Sequence, residues 1–128
     1  MEPLCAVWKE SQDVERGRTV IQNATDAMIE QTILDEAKEL IYGARQQSYG
    51  HPWLDFSRTA KIWEAIFDHP VTPEQVALCL IGVKISREVN AHKRDTLVDI
   101  AGYAGTLELV VQERERREAM HRVGWPGD

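Results

Sequence analysis

Charged side chains are concentrated in the sixteen residues from Lys84 to Asp99, which hold four cations and three carboxylates. The stretch leads from the end of an apolar, helix-like pattern into the start of another helix. Lysine and arginine side chains bind phosphate oxygens, and aspartate carboxylates together with substrate phosphates are typical ligands of Mg²⁺. The pattern therefore favours a site for a phosphorylated ligand, with Lys84, Arg87 and Lys93 as its anion-binding residues.

Two further carboxylates precede this stretch on a predicted helix, in the spacing Glu36-Ala-Lys-Glu39. Residues three apart lie on the same side of a helix, so these carboxylates can share one divalent cation. If this helix meets the one that begins near residue 95, four carboxylates form a candidate Mg²⁺ set, namely Glu36, Glu39, Asp95 and Asp99. Metal-assisted hydrolysis of a phosphoanhydride is the matching reaction, with Glu36, Glu39 and Asp99 as its catalytic residues.

The same charges also admit a purely structural interpretation. Asp95 caps the N-terminus of its helix, and Asp99 forms an ion pair with Arg87 or Lys84 in a buried network. Cations in the last turn of a helix complement the helix dipole, which accounts for part of the pattern. The acids of the ExxE spacing are then solvated surface residues. Both interpretations stay open at the level of the sequence.

Aromatic residues supply the second component of a candidate site. Tyr49 and Trp53 lie on a loop that contains Gly50 and Pro52, a glycine that permits positive φ and a proline that favours an extended residue before it. Rings on a loop suit a flat ligand such as a nucleobase, and Tyr103 is a further ring close to the acidic pair in sequence. The alternative is that Tyr49 and Trp53 plug one end of a helix bundle. In the ligand-binding interpretation, Tyr49 and Tyr103 are the candidate base-binding residues.

Four predicted helices position these residues, so the expected fold class is all-α, a compact four-helix bundle. The first helix covers about 26–46 with Thr25 as its N-cap, and the second runs from residue 54 or 55 to Phe67. The third begins with Thr72 as N-cap, Pro73 at its first position and Gln75 completing a capping box. Because this third helix is apolar all round, we expect it to be packed on several sides.

The fourth helix is predicted from about residue 95 to about residue 122, inside a single domain over 25–122. Its apolar spacing assigns a core face made of Leu97, Ile100, Ala101, Ala104, Leu107 and Val111. Gly102 and Gly105 weaken a helix, so they indicate a close approach by another helix or by a ligand. Residues 1–24 are expected to be an N-terminal arm or a small hairpin, and residues 123–128 a C-terminal tail.

The composition excludes several classes of protein. A chain of 128 residues, 43% of them hydrophobic, forms one domain with a core, and a net charge of −6 argues against coating nucleic acid or an anionic membrane. No apolar run reaches the roughly 18 residues of a membrane span, and the N-terminus lacks a signal-peptide pattern. Cys5 and Cys79 make neither a zinc motif nor a disulfide framework, which predicts a cytosolic protein. There is no P-loop, GxGxxG, GxSxG or HExxH motif.

Three motifs resemble those of a family of small proteins encoded mainly by bacteriophages and actinobacteria. They are YGxP at 49–52, KxxR at 84–87 and KxDxxxDIAGY at 93–103, and the resemblance covers roughly residues 33 to 110. The family has no assigned activity. The resemblance implies a phage-type protein that acts in the host cytoplasm.

More distantly, the chain is similar to the all-α nucleoside triphosphate pyrophosphatases, MazG-like and dUTPase-like, and to a phage nucleotide-modification-associated family. In these pyrophosphatases an ExxE motif and an ExxD motif on two helices hold Mg²⁺. Glu36 and Glu39 match the first spacing, whereas Asp95 and Asp99 lie four residues apart. The resemblance implies a Mg²⁺-dependent nucleotide pyrophosphohydrolase that assembles as a homo-oligomer. The alternative is a non-catalytic phage protein that binds a nucleotide signal or a host protein.

Overall fold

The computed structural model describes residues 31–126, and every regular element in that range is an α-helix. In chain order the helices are α1 (Ile33–Tyr42), α2 (Ala44–Tyr49), α3 (Pro52–Phe67), α4 (Pro73–Asn90) and α5 (Arg94–Arg122). The all-α prediction is confirmed, and α3, α4 and α5 correspond to the last three predicted helices, although α3 begins at Pro52 and not at residue 54 or 55. The predicted N-terminal arm or hairpin and the Thr25 cap lie outside the described residues.

The first predicted helix is interrupted at Gly43, which separates α1 from α2. A Cβ at this position would lie 2.6 Å from the carbonyl oxygen of Glu39, so a side chain does not fit here. The expectation of one continuous helix over 26–46 is therefore wrong, because α1 begins only at Ile33 and the chain turns again at Gly43. Gly43 thus begins a separate helix, α2, which carries Arg45 and Tyr49.

The starts of α3 and α4 follow from local capping. At α3, Nδ1 of His51 accepts the backbone N–H of Trp53 at 3.1 Å, and Pro52 occupies the first position. At α4, the Thr72 hydroxyl accepts the N–H of Gln75 at 3.2 Å, while the Gln75 side chain accepts the N–H of Thr72 at 2.9 Å. The predicted capping box is confirmed.

The core of the described domain lies between α3, α4 and α5. Its buried side chains are Phe56 and Ala60 from α3, Val76 and Ala77 from α4, and Val110 from α5. Partly buried apolar and aromatic residues surround this group: Trp53, Trp63, Val71, Leu80, Tyr103 and Leu107. Tyr103 therefore has one part in the core and another part available to a neighbouring cavity.

Two ion pairs establish that α4 and α5 run antiparallel. Lys84 near the end of α4 contacts Asp99 near the start of α5, and Glu74 at the start of α4 contacts Arg114 further along α5. The last turns of α4 consequently lie beside the first turns of α5. This arrangement folds the charged stretch 84–99 back on itself and brings its two ends together.

One side of α4 is apolar and exposed. Leu78 is 54% exposed, Ile85 51% and Val89 84%. The expectation that this helix is packed on several sides is wrong for the described chain, because only α3 and α5 pack against it there.

The buried face of α5 also differs from the predicted one. Gly102, Thr106 and Val110 are buried, whereas Ala104 and Val111, which the spacing assigned to the core, are exposed. The other members of the predicted face, Leu97, Ile100, Ala101 and Leu107, are only partly buried. The rotation directs small residues inward and leaves Asp99 and Tyr103 on the flank of the helix, at the edge of the core.

The close helix approach predicted from the glycines of α5 occurs at Gly105. A Cβ on this residue would lie 2.5 Å from Cδ1 of Ile41, so the missing side chain lets α1 pack closely against α5. None of the helices within residues 31–126 is long and apolar enough to cross a membrane.

Candidate functional site

Asp99 is the point where three elements meet. Its Oδ2 forms an ion pair with Nζ of Lys84 at 2.7 Å, and its Oδ1 forms one with Nη2 of Arg45 at 3.2 Å. Lys84 comes from the end of α4 and Arg45 from α2. The structural interpretation in which Asp99 pairs with Lys84 is confirmed. Arg45 was not among the predicted residues, because its position depends on the turn at Gly43.

An aromatic cavity of about 460 Å³ lies on one side of this cluster. Tyr49, Phe56 and Tyr103 supply rings to its wall, and Arg45 lies 5.3 Å from the centre of the Tyr103 ring, in the range of a cation–π contact. Both tyrosines that the sequence nominated for base binding thus line one cavity. The remaining lining residues are Ile41, Gln46, Gly50, Pro52, Asp55, Thr59, Val76, Leu80 and Thr106.

Trp53 has a different environment from the two tyrosines. Its ring packs against the core, and the guanidinium groups of Arg114 and Arg117 lie 5.1 and 5.5 Å from its centre. The residue does not line the aromatic cavity. The interpretation in which Trp53 closes one end of the bundle therefore agrees with its contacts.

A cationic cleft of about 560 Å³ has Asp99 in its wall. It is lined by the three predicted anion-binding residues Lys84, Arg87 and Lys93, together with Asp95 and Asp99. Ser86, Asn90, Ala91 and Thr96 complete its wall. The ion pairs from Arg45 and Lys84 to Asp99 join the two cavities, since Arg45 lines the first and Lys84 the second.

Glu88 holds the loop that carries Lys93. Its carboxylate accepts the backbone N–H of Lys93 at 3.2 Å and contacts Nδ1 of His92. These two donors lower the pKa of Glu88, the His92 hydrogen bond being the larger cause. The carboxylate therefore stays ionised at neutral pH and ties the loop to the end of α4.

The four carboxylates predicted to hold Mg²⁺ do not gather at one point. Glu36 forms an ion pair with Arg94, and Glu39 is exposed to solvent. Asp95 and Asp99 share the cationic cleft. Within residues 31–126, no group of three or more histidine, cysteine, aspartate or glutamate side chains is arranged to hold a metal ion. The Mg²⁺ site stays a prediction. Two of its four carboxylates, Asp95 and Asp99, line a common cavity.

The part of the chain that forms this site matches a family of known proteins. Residues 32–111 match the family model described as "Domain of unknown function (DUF6378)". The chain belongs to this family. The DUF6378 match contains every residue of the aromatic cavity and the cationic cleft, and it ends before Arg114 and Arg117.

Two curated relatives of this DUF6378 chain come from mycobacteriophages. It is 43% identical over 89 residues to the Gene 55 protein of Mycobacterium phage L5, and 36% identical over 84 residues to the Gene 55 protein of Mycobacterium phage D29. The chain spans little more than half of these relatives, since the alignments cover 56% of each. They cover 67% and 65% of this chain. No solved structure matches it. The resemblance to a phage family without an assigned activity is confirmed.

Proposed function

We propose that this DUF6378 domain binds a nucleotide, with the base in the aromatic cavity and the phosphates in the cationic cleft. The observation that carries the proposal is the bridge from Arg45 through Asp99 to Lys84, which connects the two cavities. A nucleotide has the same two parts, a flat ring and a polyanion, joined by a sugar. The chemistry of the two cavity walls thus indicates a nucleotide as the class of ligand.

The aromatic cavity has the size and wall of a small-molecule site. Its volume of about 460 Å³ falls within the range of roughly 300–1,000 Å³ that is usual for ligand pockets. Tyr49 and Tyr103 offer ring faces on which a nucleobase stacks, at a gain of about 1–3 kcal/mol per base.

The cationic cleft suits phosphate because two of its cations have no ion-pair partner in the described part of the chain. Within residues 31–126, the side chains of Arg87 and Lys93 make no ion pair, and both are exposed to solvent. The protein as a whole carries a net charge of −6. A local group of unpaired cations on an acidic protein attracts an anion to that one place.

Pyrophosphohydrolysis is the second candidate activity, and Asp95 favours it. This carboxylate lines the cleft without an ion pair in the described part of the chain. Mg²⁺ commonly binds one or two carboxylates plus substrate phosphates, so Asp95 and Asp99 are the residues that would hold the ion. When bound, the ion supplies charge neutralisation at the phosphates. Glu36 and Glu39, the other predicted catalytic residues, do not line the cleft.

A thermal-shift panel of nucleoside triphosphates, run with and without Mg²⁺, tests the proposal. We expect at least one nucleotide to raise the Tm, because a ligand that binds only the folded state stabilises it. Pyrophosphate release in the presence of Mg²⁺ identifies an enzyme, whereas recovery of the intact ligand identifies a binding protein. If no nucleotide changes the Tm, the nucleotide proposal is wrong, and a module that binds a host protein takes its place.

The exposed apolar face of α4 leads to a proposal on assembly. Leu78, Ile85 and Val89 would be covered if two copies of the chain packed together through this face, as a homo-oligomer acting in the host cytoplasm. Such a contact leaves both the aromatic cavity and the cationic cleft open, because none of these three residues lines either one.

A further inference from the structure

The aromatic cavity contains one carboxylate, that of Asp55, which neither the predicted site nor the proposed function uses. Asp55 lies in the first turn of α3 and is partly buried in the cavity wall. Within residues 31–126 its carboxylate has no hydrogen bond and no ion pair. Its partners are made by the backbone alone: the carbonyl accepts from the Thr59 hydroxyl at 3.0 Å, and the N–H donates to the His51 carbonyl at 3.5 Å. An acid in the first turn complements the helix dipole, which accounts for its charge but not for its place among aromatic rings.

An unpaired carboxylate in the wall of a ligand cavity selects for donors on the ligand. An ionised aspartate has two acceptor oxygens and no donor. A partly desolvated carboxylate gains most from a ligand that satisfies both oxygens, and it opposes a ligand that presents an acceptor to it. A carboxylate in such a wall discriminates between nucleobases by the pattern of N–H groups along one edge of the base.

Among the common nucleobases, guanine alone offers two adjacent donors on one edge, N1–H and the exocyclic N2 amino group. Adenine and cytosine place one amino donor beside a ring-nitrogen acceptor, and uracil and thymine place one N–H between two carbonyls. We propose that Asp55 selects guanine by accepting hydrogen bonds from both of these donors. This proposal rests on the nucleotide site proposed above.

Gln46 supports the same choice from another element. It lies on α2, lines the cavity, and its side-chain amide makes no hydrogen bond within the described residues. The amide carries two N–H donors, which suit a carbonyl such as O6 of guanine. The carboxylate of Asp55 thus offers acceptors for the N1–H and N2 amino donors of guanine, and the amide of Gln46 offers donors for its O6 acceptor.

Calorimetric titration with nucleoside monophosphates tests the assignment, because these ligands have no phosphoanhydride to hydrolyse. GMP, IMP and XMP differ in the group at position 2 of the base, which is an amino group, a hydrogen or a carbonyl; the carbonyl of XMP also changes the protonation of N3. We expect the wild-type chain to bind GMP about tenfold or more tightly than IMP, the effect of one hydrogen bond to a charged group. XMP should bind more weakly still, since its carbonyl faces the carboxylate.

Asp55→Asn makes the test sharper, because an amide both accepts from N1–H and donates to a carbonyl at position 2. The variant should lose its preference for GMP over IMP and bind XMP more tightly than the wild type does. Asp68→Asn is the matched control, since Asp68 is an exposed aspartate at the other end of α3 and does not line the cavity. It should keep the wild-type order of affinities.

The outcomes separate this inference from the function on which it rests. Equal binding of GMP and IMP by the wild type, or an Asp55→Asn variant with an unchanged order, overturns the role of Asp55 and leaves nucleotide binding intact. Failure of every nucleotide to bind the folded chain overturns both. A preference for AMP or CMP contradicts guanine selection alone.

Discussion

Nζ of Lys84 lies 2.7 Å from Oδ2 of Asp99, and the two side chains are only 19% and 23% exposed. Arg45 contacts the second oxygen of the same carboxylate. One acidic group thus holds two cations at the junction between the aromatic cavity and the cationic cleft. In a phosphate-binding site this carboxylate competes with the ligand for Lys84 and Arg45, and in a metal-dependent enzyme it is required.

Asp99→Asn therefore separates binding from hydrolysis. The amide removes the negative charge and frees Lys84 and Arg45, so we expect nucleotide binding without Mg²⁺ to become several-fold tighter. Any Mg²⁺-dependent release of pyrophosphate should be abolished, because the ion loses a ligand. Titration in EDTA measures the first effect and a pyrophosphate assay the second.

Asp95→Asn is the comparison variant for this experiment. Asp95 lines the cleft but holds no cation among the described residues, so its removal should change metal-free affinity less than Asp99→Asn does. Weaker metal-free binding in Asp99→Asn, in a chain that still unfolds cooperatively, would contradict the competition between carboxylate and phosphate.

Tyr49 is predicted to act as a stacking surface at the rim of the aromatic cavity. Tyr49→Ala should weaken nucleotide binding by about fivefold or more, the lower end of the usual gain from stacking. Tyr42→Ala is matched to it, since Tyr42 is 55% exposed against 68% for Tyr49 but does not line the cavity. Equal affinities for the two variants in a fluorescence titration would remove Tyr49 from the site.

Local signals in the sequence predicted the element boundaries well. The Thr72–Gln75 capping box fixed the start of α4, and the predicted end of α3 at Phe67 is confirmed by its C-cap Asp68, which has φ 51°. The start of α3 was predicted less well, because Pro52 and Trp53 belong to the helix and not to the preceding loop. Such signals work because the hydrogen bonds that end a helix lie within four residues of each other. The co-location of Lys84, Arg87 and Lys93 was also predictable, since these residues flank one short loop.

Features that depend on how helices pack were harder to predict. A periodic pattern identifies apolar residues but does not say what covers them, which is why α4 was expected to be buried and is exposed at Leu78 and Val89. The buried stripe of α5 contains Gly102 and Thr106 instead of the larger Leu97 and Ile100. Arg45 and Asp55 were missed because their site forms only after the chain turns at Gly43.

Gly43 is expected to be essential to the turn between α1 and α2. In Gly43→Ala the new methyl group meets the Glu39 carbonyl oxygen, a backbone atom with little room to move, so the free energy of unfolding should fall by about 1–3 kcal/mol. Gly102→Ala is the control, because a Cβ there has no neighbour within 4 Å. That variant should gain up to about 1 kcal/mol from helix propensity. Urea titration measures both, and a neutral Gly43→Ala would contradict the packing.

The exposed face of α4 is predicted to mediate self-association. Ile85→Glu places a charge in the proposed contact twice, once per copy, and should shift the chain to a monomer in light scattering after size-exclusion chromatography. Leu34→Glu is the control, since Leu34 is also apolar and is 68% exposed against 51% for Ile85, but lies on α1, which does not pack against α4 among the described residues. A monomeric wild type, or equal effects of the two substitutions, would refute this assembly.

The ion pair between Glu74 and Arg114 predicts an acid-sensitive contribution to stability. Nη2 of Arg114 donates to Oε2 of Glu74 at 2.8 Å, and its Nε contacts Oε1, which joins α4 to α5 with bidentate geometry. The hydrogen bond from Arg114 is the main cause that lowers the pKa of Glu74 below its ordinary value of 4.5. The folded chain therefore binds this proton less readily than the unfolded chain does.

Because the folded pKa is the lower one, the contribution of Glu74 is complete above pH 4.5 and is lost as the pH falls through the folded value. Glu74→Gln should reduce the free energy of unfolding by about 1 kcal/mol at pH 7. The difference from the wild type should shrink below pH 4.5. Glu115→Gln is the control, since Glu115 is an exposed acid on α5 for which no ion pair exists in the described chain. Urea titrations between pH 3 and 7 measure the difference, and one that does not vary with pH would contradict the role of the pair.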